Sequence, residues 1–252
     1  MEVYLSSDKG KVRKLNEDAA GVFYNQNDHL LVVLADGMGG HQAGDVASQL
    51  VIQSLEQSWE NTGEFESLVE LEEWLKEAIG SANQMIIDYS EEHPECAGMG
   101  TTVVAATIYG DDVVSCHVGD SRLYHLDDSE IYQITEDHSY VYELVKSGEI
   151  SEEEAEDHPK KNILLQALGT EQDVKIDINT FKWSTNDSLI ICTDGLTNKL
   201  SSKDLYEIAR SEMDIEEVVT QMVSSANDRG GEDNITVAYL KNVAPEEGEA
   251  SC

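Results

Sequence analysis

The stretch LLVVLADGMGGHQAGDVAS, residues 30–48, decides how the rest of the chain is read. Leu30 to Ala35 are apolar without the polar alternation of a half-exposed strand, so this strand is expected to be buried on both faces. The run stops at Asp36-Gly37, which puts a carboxylate at a strand end beside a residue whose backbone can approach a ligand closely. Beyond the glycines, Val46, Ala47, Leu50, Val51 and Leu55 recur at spacings of three and four, the stripe of a helix lying on a core.

The same pattern extends in both directions. Upstream, Val3 to Ser6 and Gly21 to Tyr24 read as strands; downstream, a second helix carries Leu68, Leu71, Leu75, Ala78, Ile79, Ala82, Met85 and Ile86. Both helices are expected on one sheet face. Strand patterns resume through Thr101 to Tyr109, Val113 to Val118, Leu123 to Leu126 and Ile131 to Ile134, with turns at Gly110-Asp111-Asp112 and Asp127-Asp128-Ser129; this part reads as an antiparallel meander. A polar helical insertion follows from Glu136 to Thr170, then strands at Val174 to Trp183 and Ser188 to Cys192. A second helical pair, near Ser202 to Ser211 and Ile215 to Asn227, precedes a last strand from Asn234 to Leu240. Helices that come in pairs between blocks of strands predict an α+β fold: a four-layer αββα sandwich of two antiparallel sheets packed face to face, a helical pair outside each, plus a helical flap. One domain is expected over residues 1–243, with the flap at about 139–173 and an acidic flexible tail at 244–252.

Composition narrows the function. With 51 acidic against 16 basic residues the formal net charge is −35, so a nucleic-acid backbone is a poor partner. Cys96, Cys116, Cys192 and Cys252 are widely spaced with no Cys-x-x-Cys pair, which points to reduced thiols and a cytoplasmic protein. The start MEVYLSSDKGK has no basic-then-apolar leader, and no run is long enough for membrane insertion. A monomer is the simplest expectation.

Aspartates recur where strands end: Asp36-Gly37, Asp194-Gly195, Asp120 after Gly119, and Asp233-Asn234 before the last strand, with Glu17 and Asp18 adding two carboxylates. Each alone is an ordinary turn aspartate. Gathered at one rim they would repel one another unless cations neutralised them, and oxygen-only ligands select hard ions such as Mn2+ or Mg2+. Two such ions sharing a bridging carboxylate can lower the pKa of a water and aim it at phosphorus.

The motifs SDKGKVRKLNED, VLADGMGGHQAGDVAS, GMGTTVV, HVGDSRLY, TEDHS, ICTDGLTN and GGEDNITV stand in this order along nearly the whole chain. In them the sequence resembles the bacterial branch of the metal-dependent serine/threonine phosphatases, the type 2C or PPM family, and within it the PrpC-type enzymes. That resemblance implies hydrolysis of phosphoserine and phosphothreonine on proteins, including a cognate membrane-anchored serine/threonine kinase, without a phosphoenzyme. It implies that Asp36 bridges two metals, that the Gly37 carbonyl, Asp194 and Asp233 complete their protein ligands, and that Asp120 holds a third, weaker ion. It further implies that Glu17 and Asp18 orient metal-bound waters, that Arg13 binds the phosphate and that His41 is the general acid. The flap would shape substrate access from Ser147 to Lys161.

Other readings make different demands. Cys116-His117-Val118-Gly119-Asp120-Ser121-Arg122 satisfies the Cys-x-x-Gly-x-x-Arg spacing of thiolate phosphatases, but Leu123 onward alternates like a strand and Asp120 would put a negative charge inside an anion cradle. A phosphoprotein-binding module would bind without turnover, and an acidic metal buffer would not need Arg13. His117, His125 and His138 are expected to be structural.

Overall fold

The chain enters through two strands, β1 (Glu2–Asp8) and β2 (Asp18–Tyr24), before the apolar run at Leu30 becomes β3 (Leu30–Met38). This computed structural model describes residues 1–39 and 43–244, with Glu156 as backbone only. Two long helices follow, α1 (Ala43–Glu60) and α2 (Leu68–Glu92), the second started by Ser67, whose hydroxyl accepts from the Glu70 N–H. Next come β4 (Gly100–Thr101), β5 (Val103–Tyr109), β6 (Asp112–Val118), β7 (Arg122–Leu126) and β8 (Ile131–Gln133). The flap contributes α3 (Tyr140–Lys146) and α4 (Glu152–Glu156); β9 (Asp177–Lys182), β10 (Ser188–Cys192), α5 (Asp194–Thr197), α6 (Ser202–Ala209), α7 (Ile215–Asp228) and β11 (Ile235–Lys241) complete the chain.

The strands form two sheets of antiparallel pairs. One has the order β1-β11-β10-β7-β8, the other β2-β3-β5-β6-β9 with β4 added beside β3. β3 shows why a strand without alternation was needed. Leu30, Val32 and Leu34 point between the sheets against Leu189, Ile191 and Leu240, while Leu31, Val33 and Ala35 point the other way against α1 and α2. All six are 3% exposed or less. A third cluster packs α6 and α7 through Leu205, Val219 and Met222 onto Ile190, Val237 and Tyr239. The layers are therefore helices, sheet, sheet, helices, as expected.

Three local expectations change. The stretch from Thr101 to Ile134 is not one meander: β5 and β6 pair in one sheet, β7 and β8 in the other. The chain changes sheets at Gly119, whose φ of +108° is open to glycine and strained for other residues. Each hairpin reads as two strands joined by a short turn, so the local sequence pattern does not assign them to different sheets. The strand expected from Val174 begins only at Asp177, where pairing with His117 of β6 starts. The insertion is helical only in α3 and α4, the rest being turns and short bridges. No helix among the described residues is long and apolar enough to cross a membrane. Cys96, Cys116 and Cys192 are buried free thiols; Cys252 and residues 245–252 of the expected tail lie outside the described residues.

Candidate metal centre at the strand ends

Asp18 opens β2 and stands directly opposite Asp36 in the β2–β3 register, so two carboxylates face each other across one sheet. Asp36 is fixed through its backbone: its N–H donates to Thr102 Oγ1 at 3.0 Å, and its carbonyl accepts from Thr102 N at 2.9 Å and Thr101 Oγ1 at 2.8 Å. Gly37 is needed for close approach, since a Cβ there would lie 2.1 Å from the Gly44 carbonyl oxygen.

The second sheet supplies the other side. Asp194 follows β10 and begins α5, with Asn198 Nδ2 donating to its Oδ2 at 3.0 Å. Asp233 precedes β11; its Oδ1 accepts from Asn234 N at 2.9 Å and its Oδ2 from Arg13 at 2.8 Å. Asp120 sits in the turn between β6 and β7. Asp18 ties the sheets together, its Oδ2 accepting from Thr193 Oγ1 at 3.0 Å and Thr236 Oγ1 at 2.6 Å.

Burial is the largest cause pushing the Asp36 carboxyl well above its usual range, and Asp18, Asp194, Asp120 and Asp233 add to it by repulsion. Asp120 is raised by burial and then by Asp194 and Asp137; Asp194 is raised by burial and then by Asp233. Asp18 is raised by burial despite its two hydroxyl donors, with Asp194 and Asp233 adding to the shift. Five carboxylates from five separate segments thus lie within each other's field, with Asp36 at the centre. Their side chains keep partial exposure at one rim, except Asp18 at 8%.

The donor set fits hard divalent cations. It is made of oxygens, it lacks enough counter-charge of its own, and Asp18 Oδ1 is buried with no hydrogen-bond partner. The rim does not form a closed cage: among the described residues, only His117, His138 and Asp177 bring three ligand atoms within 4.8 Å of one another. Asp233 and Asp194 are instead occupied by Arg13 and Asn198.

Of the other expected residues, Arg13 stands over the rim, half exposed. Glu17 lies beside Gly44, where a Cβ would come 2.7 Å from its Oε1. His41 lies outside the described residues. Sequence reasoning missed Asn234, which is 4% exposed. Its Nδ2 donates to the Lys9 and Leu15 carbonyls and its Oδ1 accepts from Glu17 N, all at 2.8 to 2.9 Å, so it holds the Arg13 loop against the rim. Its only signal was a position next to Asp233. The Arg122–Asp137 fork, with bonds of 2.6 to 3.1 Å, was also missed.

A cleft of about 670 Å3 runs from Asp120 and Asp194 past Tyr142 and Val145 of α3 to Glu152 of α4. The thiolate alternative fails on burial. Cys116 is fully buried in β6, burial pushes its thiol up to about 12, and Arg122 is engaged by Asp137.

Comparison with known proteins agrees with this geometry. The pattern of the family described as protein phosphatase 2C matches residues 10–239. The serine/threonine phosphatase stp of Listeria monocytogenes is 43% identical over 248 residues, covering 98% of each chain. The solved S. agalactiae serine/threonine phosphatase superposes with a TM-score of 0.92 at 39% identity, covering 96% of this chain and 99% of that one. The catalytic domain of the phosphatase PstP, solved in complex with two manganese ions, has a TM-score of 0.83 at 34% identity, covering 96% and 98%.

Proposed function

Because this chain belongs to the protein phosphatase 2C family, we propose that it removes phosphate from phosphoserine and phosphothreonine of proteins by direct attack of water, without a phosphoenzyme. Asp36, the Gly37 carbonyl, Asp194 and Asp233 would hold two divalent cations, Mn2+ or Mg2+, and Asp120 a third, weaker one. The observation that carries the reading is the convergence of four carboxylates, Asp18, Asp120, Asp194 and Asp233, on Asp36, where they add to burial in raising its carboxyl above the ordinary range.

When bound, such cations neutralise the rim and supply an activated water. The chain's own residues do the rest. Arg13 pairs with Asp233 at 2.8 Å, half exposed over the rim, and with Asp233 serving as a cation ligand its planar fork would be free to receive phosphate oxygens. Asp18, fixed on one oxygen by Thr193 and Thr236, presents its unpartnered Oδ1 to orient water. His41 is assigned the proton donation that a serine or threonine leaving group requires. The substrates include a cognate serine/threonine kinase, and the enzyme works in the cytoplasm.

The test is hydrolysis of a phosphothreonine peptide before and after chelation and after thiol alkylation. Chelation abolishes turnover, Mn2+ restores it, and alkylation leaves it unchanged. Activity that survived chelation but not alkylation would overturn the reading.

A further inference from the structure

A second cluster of ligand atoms, sharing no residue with the carboxylate rim, lies at the open edge of the β2-β3-β5-β6-β9 sheet. His117 of β6 pairs in register with Asp177, the first residue of β9, which places both side chains on one face. His138, on the segment leading into α3, closes the third side. Its ring stacks on that of His117 with centroids 4.7 Å apart and 25° between planes. One ligand atom from each of the three lies within 4.8 Å of the other two, and the histidines are 1% and 9% exposed.

The hydrogen bonds around His117 leave it ready to coordinate. Its Nε2 is 2.8 Å from the Glu136 carbonyl, which can only accept, so the proton sits on Nε2 and Nδ1 carries a lone pair. That Nδ1 is buried and has no partner, a condition native interiors avoid. A histidine whose other ring nitrogen donates to a carbonyl is the usual arrangement of a metal ligand.

Asp177 Oδ1 is held by Lys175 at 2.7 Å, and its Oδ2 faces His138 Nε2 at 3.3 Å. That separation is long for a charge-assisted hydrogen bond, typically about 2.7 to 2.9 Å. It matches the edge, about 3.3 Å, of a tetrahedron around an ion with bonds of about 2.0 to 2.1 Å. A neighbouring cavity of about 500 Å3, lined by His117, Glu136 and Asp177, provides an entry path and room for a water as fourth ligand.

We infer that His117, His138 and Asp177 form a second metal site, with no ligand in common with the carboxylate rim, which takes a borderline transition ion such as Zn2+ in preference to Mn2+ or Mg2+. Two imidazoles and one carboxylate suit such ions, whereas the rim offers only oxygen. Binding has one structural consequence. His138 Nδ1 now accepts from Gly119 N at 3.2 Å. Coordination through Nε2 moves the ring proton to Nδ1 and opens that contact, so the site is linked to the turn that carries Asp120.

The experiment uses the full chain, thiol-alkylated and stripped with chelator, then dialysed against Zn2+ with saturating Mg2+ to occupy the rim. About one Zn2+ per chain is retained. Co2+ in its place gives the intense visible bands of a tetrahedral nitrogen-containing site. His138→Gln and Asp177→Asn each weaken Zn2+ binding by at least about tenfold, with a cooperative melt confirming the fold. Asp177→Asn removes only a charge from a partly exposed side chain, so it guards against misfolding of the histidine variant. The inference is overturned if no Zn2+ is retained above Mg2+, if Co2+ shows only the weak spectrum of oxygen ligands, or if both variants bind as wild type. None of these readouts depends on phosphatase activity.

Discussion

Asp194 and Tyr142 line the same cleft from opposite kinds of support. Asp194 follows a strand whose five residues are all buried and which is paired on both sides, by β7 and β11. Tyr142 belongs to α3, a helix with no buried side chain. The flap around it is tethered by a few backbone bonds, from Tyr140 N to Ile163 O, Leu165 N to His138 O, and between Thr101 and Leu168, at 2.8 to 3.1 Å. The Asp194 carboxylate thus stands on a frame locked on both faces. The flap side of the cleft hangs on contacts from the low end of the stability range.

The sharpest way to break the rim is Asp36→Asn. Phosphopeptide turnover should fall at least about a thousandfold, because cation binding supplies several kcal/mol of charge stabilisation. The metal-free protein should melt at a higher temperature in calorimetry with chelator present. The Asp36 carboxyl is raised by burial and four like charges, so its ionised form opposes folding at neutral pH, and asparagine removes that cost. Testing the frame itself, Leu34→Ala, at 0% exposure between the sheets, should cost about 2 to 5 kcal/mol in denaturant unfolding. The metal requirement of the remaining folded protein should be unchanged.

Replacing residues 147–161 by a short glycine-serine linker addresses the other side of the comparison. The ratio of activities on two different phosphopeptides should shift roughly tenfold while a small aryl phosphate is hydrolysed within about twofold of wild type. Equal losses on both would show that the flap belongs to the rigid machinery after all. The smallest effect is expected at Asp204, which lines the cleft from α6. Arg229, then Ser201, hold its carboxyl below the usual range. Its contribution is present above the unfolded carboxylate pKa of about 3.9 and is lost as pH falls through the lowered folded value. Asp204→Asn should therefore flatten the acid limb of the melting curve slightly and leave stability at pH 7 to 8 lower by no more than about 1 kcal/mol.

The rim was legible because Asp36 and Asp194 each end an apolar strand at Asp-Gly, with Asp120 and Asp233 beside the ends of other strands. Leu30 to Ala35 gave the layering for the same reason: residues buried on both faces need a sheet on one side and helices on the other. What could not be read depended on long-range choice. The sheet change at Gly119 looks in sequence like any turn, and α5 is a short helix that starts on Asp194 itself. Asn234 bonds to Lys9, Leu15 and Glu17, more than 200 positions away, so no local signal could reveal it. His117 and His138 read as structural singly. Only the β6–β9 register and the flap base bring them together with Asp177.

The most direct test is a Mn2+ titration of phosphothreonine-peptide hydrolysis by chelator-treated wild type and Asp36→Asn. Wild type should recover fully as the ion is added, and Asp36→Asn should stay near background at every concentration while remaining folded. Recovery of the variant to the wild-type rate would contradict the assignment of Asp36 as the carboxylate on which the centre is built.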